Sequence, residues 1–327
     1  MSTRSRSRSA SVLALAVFVV AALIAPLSAN AATISNGNFE TGTLSGWQLS
    51  PAGSGWQTYS GTTGPNTGIP ISAPPQGTFA AITDISAPDT RILYQDLVLE
   101  PGFTHKLSLF AYYRSSGAIT IPNPDTLDVT GPGNQQYRID VIKPSAPLNS
   151  LSPNDILLNV FQTRSGDPTT LLPTALTADL TPFAGQTVRL RMAEADNLGV
   201  FNAMVDAVTL SSVKIPNDFS FGKVSRHKHK GTATLAVTVP SAGTLTLTGK
   251  GLKPQRAGRN SRASASLAVS GAGTVKLLVK AKGKAKKKLN KKGKVKVTAS
   301  VTYTPTGAIP GVPNTQTKRV KLAKKLG

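Results

Sequence analysis

The residues best placed to do chemistry in this 327-residue chain are cations. Between Lys280 and Lys296, ten of seventeen positions are lysine. Ammonium groups at that density draw polyanions by long-range steering and by release of the polymer's counterions. Lys286, Lys287, Lys288, Lys291 and Lys292 form the densest part and are the candidate polyanion-binding residues. The competing reading is a solvated face that keeps the chain soluble. Nucleic acid is a disfavoured partner, because no aromatic rings are interleaved with the lysines to stack on bases.

A second set of residues suits sugars, whose apolar faces stack on aromatic planes. The candidate ligand-binding rings are Trp56, Tyr59, Tyr112 and Tyr113, with Trp56 first because its neighbours are small and polar. Tyr112 and Tyr113 are adjacent on a strand and point to opposite faces, so at most one of them reaches a ligand. Aromatic residues make up only 6% of the chain, so each ring also reads as core.

Catalytic patterns are missing. There is no cysteine, which removes thiol nucleophiles and thiolate metal sites. No Gly-x-Ser-x-Gly elbow, His-Glu-x-x-His pair or phosphate-binding loop occurs. His227-Lys228-His229 lacks a neighbouring acid and reads as a solvated loop. The sequence therefore favours a protein that is not an enzyme.

The elements that must position these residues are short strands. Arg4, Arg6 and Arg8 precede an apolar run from Val12 to Ile24, then Pro26 and Ala29-Asn30-Ala31. That order predicts a secretory signal peptide over 1–31, cut after Ala31, and a secreted or cell-surface protein with no transmembrane segment left after cleavage. Charge divides the remainder. Residues 32–213 hold eight basic and fourteen acidic side chains, whereas 214–327 hold twenty-six basic and one acidic, Asp218. A shift this sharp predicts two domains, 32–213 and 214–327. Fifty-two Pro and Gly residues punctuate period-two runs such as Tyr137, Ile139, Val141 and Val295, Val297, Ala299, Val301, Tyr303. The expected fold class is all-β: a sandwich or jelly roll, then an immunoglobulin-like sandwich of about seven strands. Ala285 to Lys292, anchored by Leu289 and ended by Gly293, is expected as a short helical turn between two strands.

Asn36-Gly37-Asn38-Phe39-Glu40-Thr41-Gly42 with Gly46-Trp47 resembles the opening strand of galactose-binding-like jelly rolls, which include several carbohydrate-binding module families. Phe201 to Leu210 resembles their last strand, and Gly77 to Ala81 and Leu93 to Leu97 are similar to strands between. Residues 219–325 resemble a lysine-rich β-domain of exported bacterial proteins. The first resemblance implies ligand binding without naming the ligand, and places Trp47 in the core. It also implies a structural calcium held by Asn38, Glu40 and Asp206, since calcium takes six to eight oxygen ligands. The alternative is that Glu40 and Asp206 accept backbone hydrogen bonds at the sandwich end. The favoured function is a secreted binding protein: an extracellular glycan at the jelly roll, and an anionic cell-wall polymer drawn by the basic domain. The alternatives are a structural or protein-interaction protein of the cell surface, or a hydrolase with paired acids.

Overall fold

The computed structural model describes residues 33–53, 55–86, 88–253, 266–306 and 311–326; the expected signal peptide lies outside them. No helix among the described residues is long and apolar enough to cross a membrane. The chain is all-β. Ten strands build a first sandwich: β1 (Gln48–Ser50), β2 (Trp56–Tyr59), β3 (Ala80–Thr83), β4 (Asp89–Val98), β5 (Phe103–Ser115), β6 (Gln135–Ile142), β7 (Ile156–Gln162), β8 (Thr170–Asp179), β9 (Thr187–Asp196) and β10 (Phe201–Lys214). Seven more build a second: β11 (Ser220–His227), β12 (Thr232–Val239), β13 (Gly243–Thr248), β14 (Ser266–Val269), β15 (Gly273–Lys280), β16 (Lys294–Pro305) and β17 (Asn314–Ala323). Helix α1 (Gly283–Lys292) lies between β15 and β16.

The first sandwich is a jelly roll by topology. Its sheets run β1-β4-β9-β6-β7 and β2-β3-β10-β5-β8. With the edge strands β1 and β2 set aside, the eight strands from β3 to β10 cross between the sheets at every connection except the β6–β7 hairpin, as in a jelly roll of two Greek keys. Inward positions of both sheets meet in one core that includes Leu93, Leu109, Tyr137, Ile139, Leu190, Val205 and Trp47. Trp47 stacks on Phe39 at 5.6 Å between centroids. The opening segment 33–47 forms turns rather than the expected strand. Asn36, Phe39 and Gly42 take left-handed φ values of 49°, 57° and 66°, which breaks any ladder.

The second sandwich sets β11-β12-β15 against β14-β13-β16-β17. The alternation read from sequence is its burial pattern: Ala233, Leu235, Val237 and Val239 face in, as do Val295, Val297, Ala299, Val301 and Tyr303. Its fourth strand pairs with β13, whereas in constant-type immunoglobulin domains the fourth strand joins the sheet of the first, second and fifth. Helix α1 begins at Gly283, two residues before the expected start. Leu289 is its buried anchor, and Gly293 closes it with φ of 65°.

Sequence patterning did not anticipate the buried ions of the first sandwich. Arg91 lies between the sheets and pairs with Glu194 at 3.2 Å and Asp196 at 2.7 Å. On the outer face of the same sheet, Asp140 receives Arg138 Nε at 2.7 Å and Arg191 at 2.5 Å. Arg191 also donates to Leu148 O and Ser150 O, which ties the 143–152 loop over the sheet. Burial alone would raise the Asp140 carboxyl, but hydrogen bonding from Arg138 and the charges of Arg191 and Arg138 hold it below the usual carboxylate range. Removing one partner of a buried ion group strands the others, at a cost of about 3–5 kcal/mol. Asp140→Ala is therefore expected to destabilise the protein by that amount in urea unfolding. A loss under about 1 kcal/mol, the range of an exposed pair, would show that the cluster is solvated.

Candidate functional site

The jelly roll places Glu40 and Asp206 around one turn, residues 76–79. Asp206 sits on β10 where the register with β5 shifts between Asp206 and Thr209. The shift is a bulge at Ala207, with φ of 48°. It frees Val208 N–H to donate to Gly37 O at 2.8 Å, and Gly37 is required because a Cβ there would lie 2.0 Å from Val208 O. Asp206 accepts from Ala207 N–H at 2.5 Å and from Gln76 N–H at 3.1 Å. Glu40 accepts from Thr78 N–H at 2.9 Å and Phe79 N–H at 2.8 Å. Gly77 lets Glu40 in, since a Cβ would stand 2.4 Å from its carboxyl carbon. Asn38 is exposed, and its Oδ1 meets Glu40 N–H at 3.5 Å. Both acids thus hold backbone N–H groups at the sandwich end. No cluster of three or more His, Cys, Asp or Glu suited to a metal occurs among the described residues.

All four candidate rings are buried, which overturns the expectation of an exposed aromatic platform. Trp56 is on β2 with its ring in the core, and its Nε1 donates to Arg91 O. Its small polar neighbours mark an edge-strand turn rather than an open binding loop. Tyr59 and Tyr112 lie on the other face of that sheet, where their hydroxyls bond each other at 2.8 Å. Tyr113 points the opposite way, as adjacent strand residues must, and packs on Phe201 with its hydroxyl on Pro168 O. What the jelly roll leaves open nearby is a depression of about 180 Å³ lined by residues that include Ser72, Arg114 and Thr170.

The basic surface is placed as expected. Lys286, Lys287, Lys288, Lys291 and Lys292 are all exposed on α1. Only Lys288 and Lys292 of the five line a groove of about 460 Å³ between α1 and the sheet, where they meet Lys294, Lys296 and Lys321. Lys321 was not singled out from sequence. It reaches the groove through the β16–β17 register, which sets it opposite Lys296, and no local signal carries that pairing. Among the described residues every ion pair lies between Asp89 and Asp196, in the first sandwich, so the lysines of the second are uncompensated.

No protein-family model matches the sequence, and no curated protein matches it. Solved structures overlap it loosely. The carbohydrate-binding module TmCBM61, solved with β-1,4-galactotriose, is 12% identical over 55% of this chain and 96% of its own, with a TM-score of 0.34. A cleaved adhesin domain of Lys-gingipain from Porphyromonas gingivalis is 13% identical over 54% of this chain and 96% of its own, with a TM-score of 0.34. The adhesin domain of Epf from Streptococcus pyogenes is 9% identical over 90% of this chain and 97% of its own, with a TM-score of 0.27. The strand order, rather than these overlaps, defines the first sandwich as a jelly roll.

Burial raises the Asp206 carboxyl to about 6, its backbone N–H bonds lower it in part, and the charge of Glu40 adds to the rise. A folded value above the unfolded one means that the folded state keeps the proton longer. The stability this group contributes is full below about 4 and is lost as pH rises through about 6. Carbon-13 NMR of the Asp206 carboxyl in chelator is expected to titrate near 6. A midpoint at the ordinary aspartate value of 3.8 would mean that water reaches the group freely.

Proposed function

We propose that this is an exported, non-catalytic binding protein whose domain 214–327 holds an anionic polymer of the cell envelope and whose jelly-roll domain, 32–213, is carried with it. The observation behind this reading is the uncompensated charge of the second sandwich: twenty-six basic residues, one acid, and no ion pair among its described residues. A face that only kept the protein soluble would not need cations on directly opposed strand positions. Lys296 faces Lys321 across β16 and β17, an arrangement that destabilises a sheet. A bound polyanion relieves that repulsion. The second sandwich is immunoglobulin-like in strand number and two-layer form, with its fourth strand moved to the sheet of the third.

A second reading keeps a glycan for the jelly roll. It rests on the depression beside Arg114 and Thr170, since the named rings are buried. Calcium belongs to the proposal only as a stabiliser of the jelly roll. Asn38, Glu40 and Asp206 would hold it, supported by the convergence of two carboxylates on one turn; carbonyls and water would supply the remaining oxygens.

Three measurements test these readings. The purified protein is expected to bind an anionic-polymer column at low salt and to elute early in a salt gradient, because the Debye length falls to about 8 Å at physiological ionic strength. Replacing Lys286, Lys287, Lys288, Lys291 and Lys292 with Gln should move elution to lower salt without lowering the melting temperature. Retention that persists in high salt, or is unchanged in the variant, would point to a shaped site elsewhere. On a glycan array, Arg114→Ala should abolish any signal from the jelly roll; a signal that survives excludes that depression. Calcium should raise the melting temperature relative to chelator, and Asp206→Ala should remove the difference. Equal melting curves would exclude the ion.

A further inference from the structure

The cations of the second sandwich are gathered at one of its two poles. The strands run between a pole made of segments 227–231, 249–253, 281–293 and 324–326 and a pole made of 215–219, 239–243, 269–273 and 311–314. The first group of segments carries thirteen lysines. The second carries no lysine or arginine, and it includes Asp218, the single acid of the region. The neutral pole abuts the first sandwich, where Ile215 N–H donates to Gly102 O at 2.8 Å and a Cβ on Gly102 would lie 2.8 Å from Val312.

The charged pole is built, not merely crowded. Its segments are distant in sequence yet bonded through the backbone. Lys325 N–H donates to Lys228 O at 2.9 Å, Lys324 N–H to Gly293 O at 2.7 Å, Lys282 N–H to Gly251 O at 2.6 Å and Lys253 N–H to Lys280 O at 2.8 Å. A Cβ on Gly231 would lie 3.2 Å from Leu289, so the hairpin and the buried anchor of α1 are in contact. The helix is therefore fixed against the hairpin, with the ammonium groups outward. Concavities open around it: the groove at Lys288, Lys292 and Lys321 and one of about 380 Å³ beside Lys250, Lys282 and Lys284 lie against α1, and a larger one of about 930 Å³ lies at the hairpin beside Arg226, Lys228, Lys230 and Lys280. Like charges gathered at one pole repel one another even in water. The opposite pole had room for some of them and received none.

We propose that the second sandwich attaches end-on: its charged pole takes a flexible polymer with closely spaced anionic groups, and its neutral pole carries the jelly roll away from that polymer. The proposal rests on the polyanion reading above and adds where the polymer sits. Lysine heads are point charges without the planar fork of arginine, so charge density rather than the geometry of one anion selects the partner. Phosphodiester and carboxylate polymers share that chemistry.

The test compares two full-chain variants that lose equal charge at exposed positions. The pole variant is K228Q/K287Q/K291Q, and the flank variant is K223Q/K276Q/R319Q. Fluorescence anisotropy with labelled inorganic polyphosphate and with labelled polyglutamate is followed over a range of salt. The slope of log affinity against log salt is expected to flatten by about 2 in the pole variant, and by less than about 1 in the flank variant. The same result with both polymers supports selection by charge density, and a response confined to one identifies phosphate or carboxylate as the source. Equal flattening in the two variants overturns end-on attachment while leaving the polyanion reading intact. No binding of the unaltered protein at low salt overturns both.

Discussion

A charge leaves water only in the company of its opposite, and the two sandwiches answer that constraint in opposite ways. In the first, Arg91, Arg138 and Arg191 are buried, each against at least one carboxylate of Asp140, Glu194 or Asp196. The desolvation of each ion is offset by its partner and by backbone carbonyls such as Leu148 O. In the second, a single acid is available, so no lysine can be buried and every one must end in solvent. The apolar positions of β12, β13, β15, β16 and β17, with Phe219, Leu252 and Leu289, then supply the interior, and alternate positions of β15, β16 and β17 carry lysines outward.

The same constraint decides what each sandwich is suited to bind. Buried polar groups of the jelly roll hold loops down: Arg191 ties 143–152, and Asp84 accepts from Asn66 and Thr67 to fasten the 61–70 loop. They leave little field outside. The basic sandwich spends none of its charge internally, so its field projects into solvent and collects counterions. The acids of the jelly roll and the lysines of the basic sandwich thus form no ion pair among the described residues.

Backbone geometry at a few residues does the remaining positioning. The bulge at Ala207 turns Val208 towards Gly37, and Gly77 admits Glu40 to the same end of the sandwich. Asp206 and Glu40, far apart in sequence, are thereby set on one turn. The opening segment 33–47 serves this end as a series of turns and needs no strand pairing of its own.

All-β architecture and the inward faces of the second sandwich were legible in the sequence, because period-two alternation is a local property that burial must respect. So was α1, through Leu289 and the glycine that follows Lys292. Side-chain exposure in the first sandwich was not. Trp56 and Tyr59 have the small, polar neighbours of accessible rings, yet they are buried, as are Tyr112 and Tyr113. The buried arginines broke the apolar pattern, and apart from Asp140 beside Arg138 their acceptors come from other strands or from loops. Nor could sequence show that lysines of the hairpin, the helix and the last strand share one pole. That depends on which strand ends meet, and strand order and register are settled by long-range pairing rather than by the residues beside each lysine.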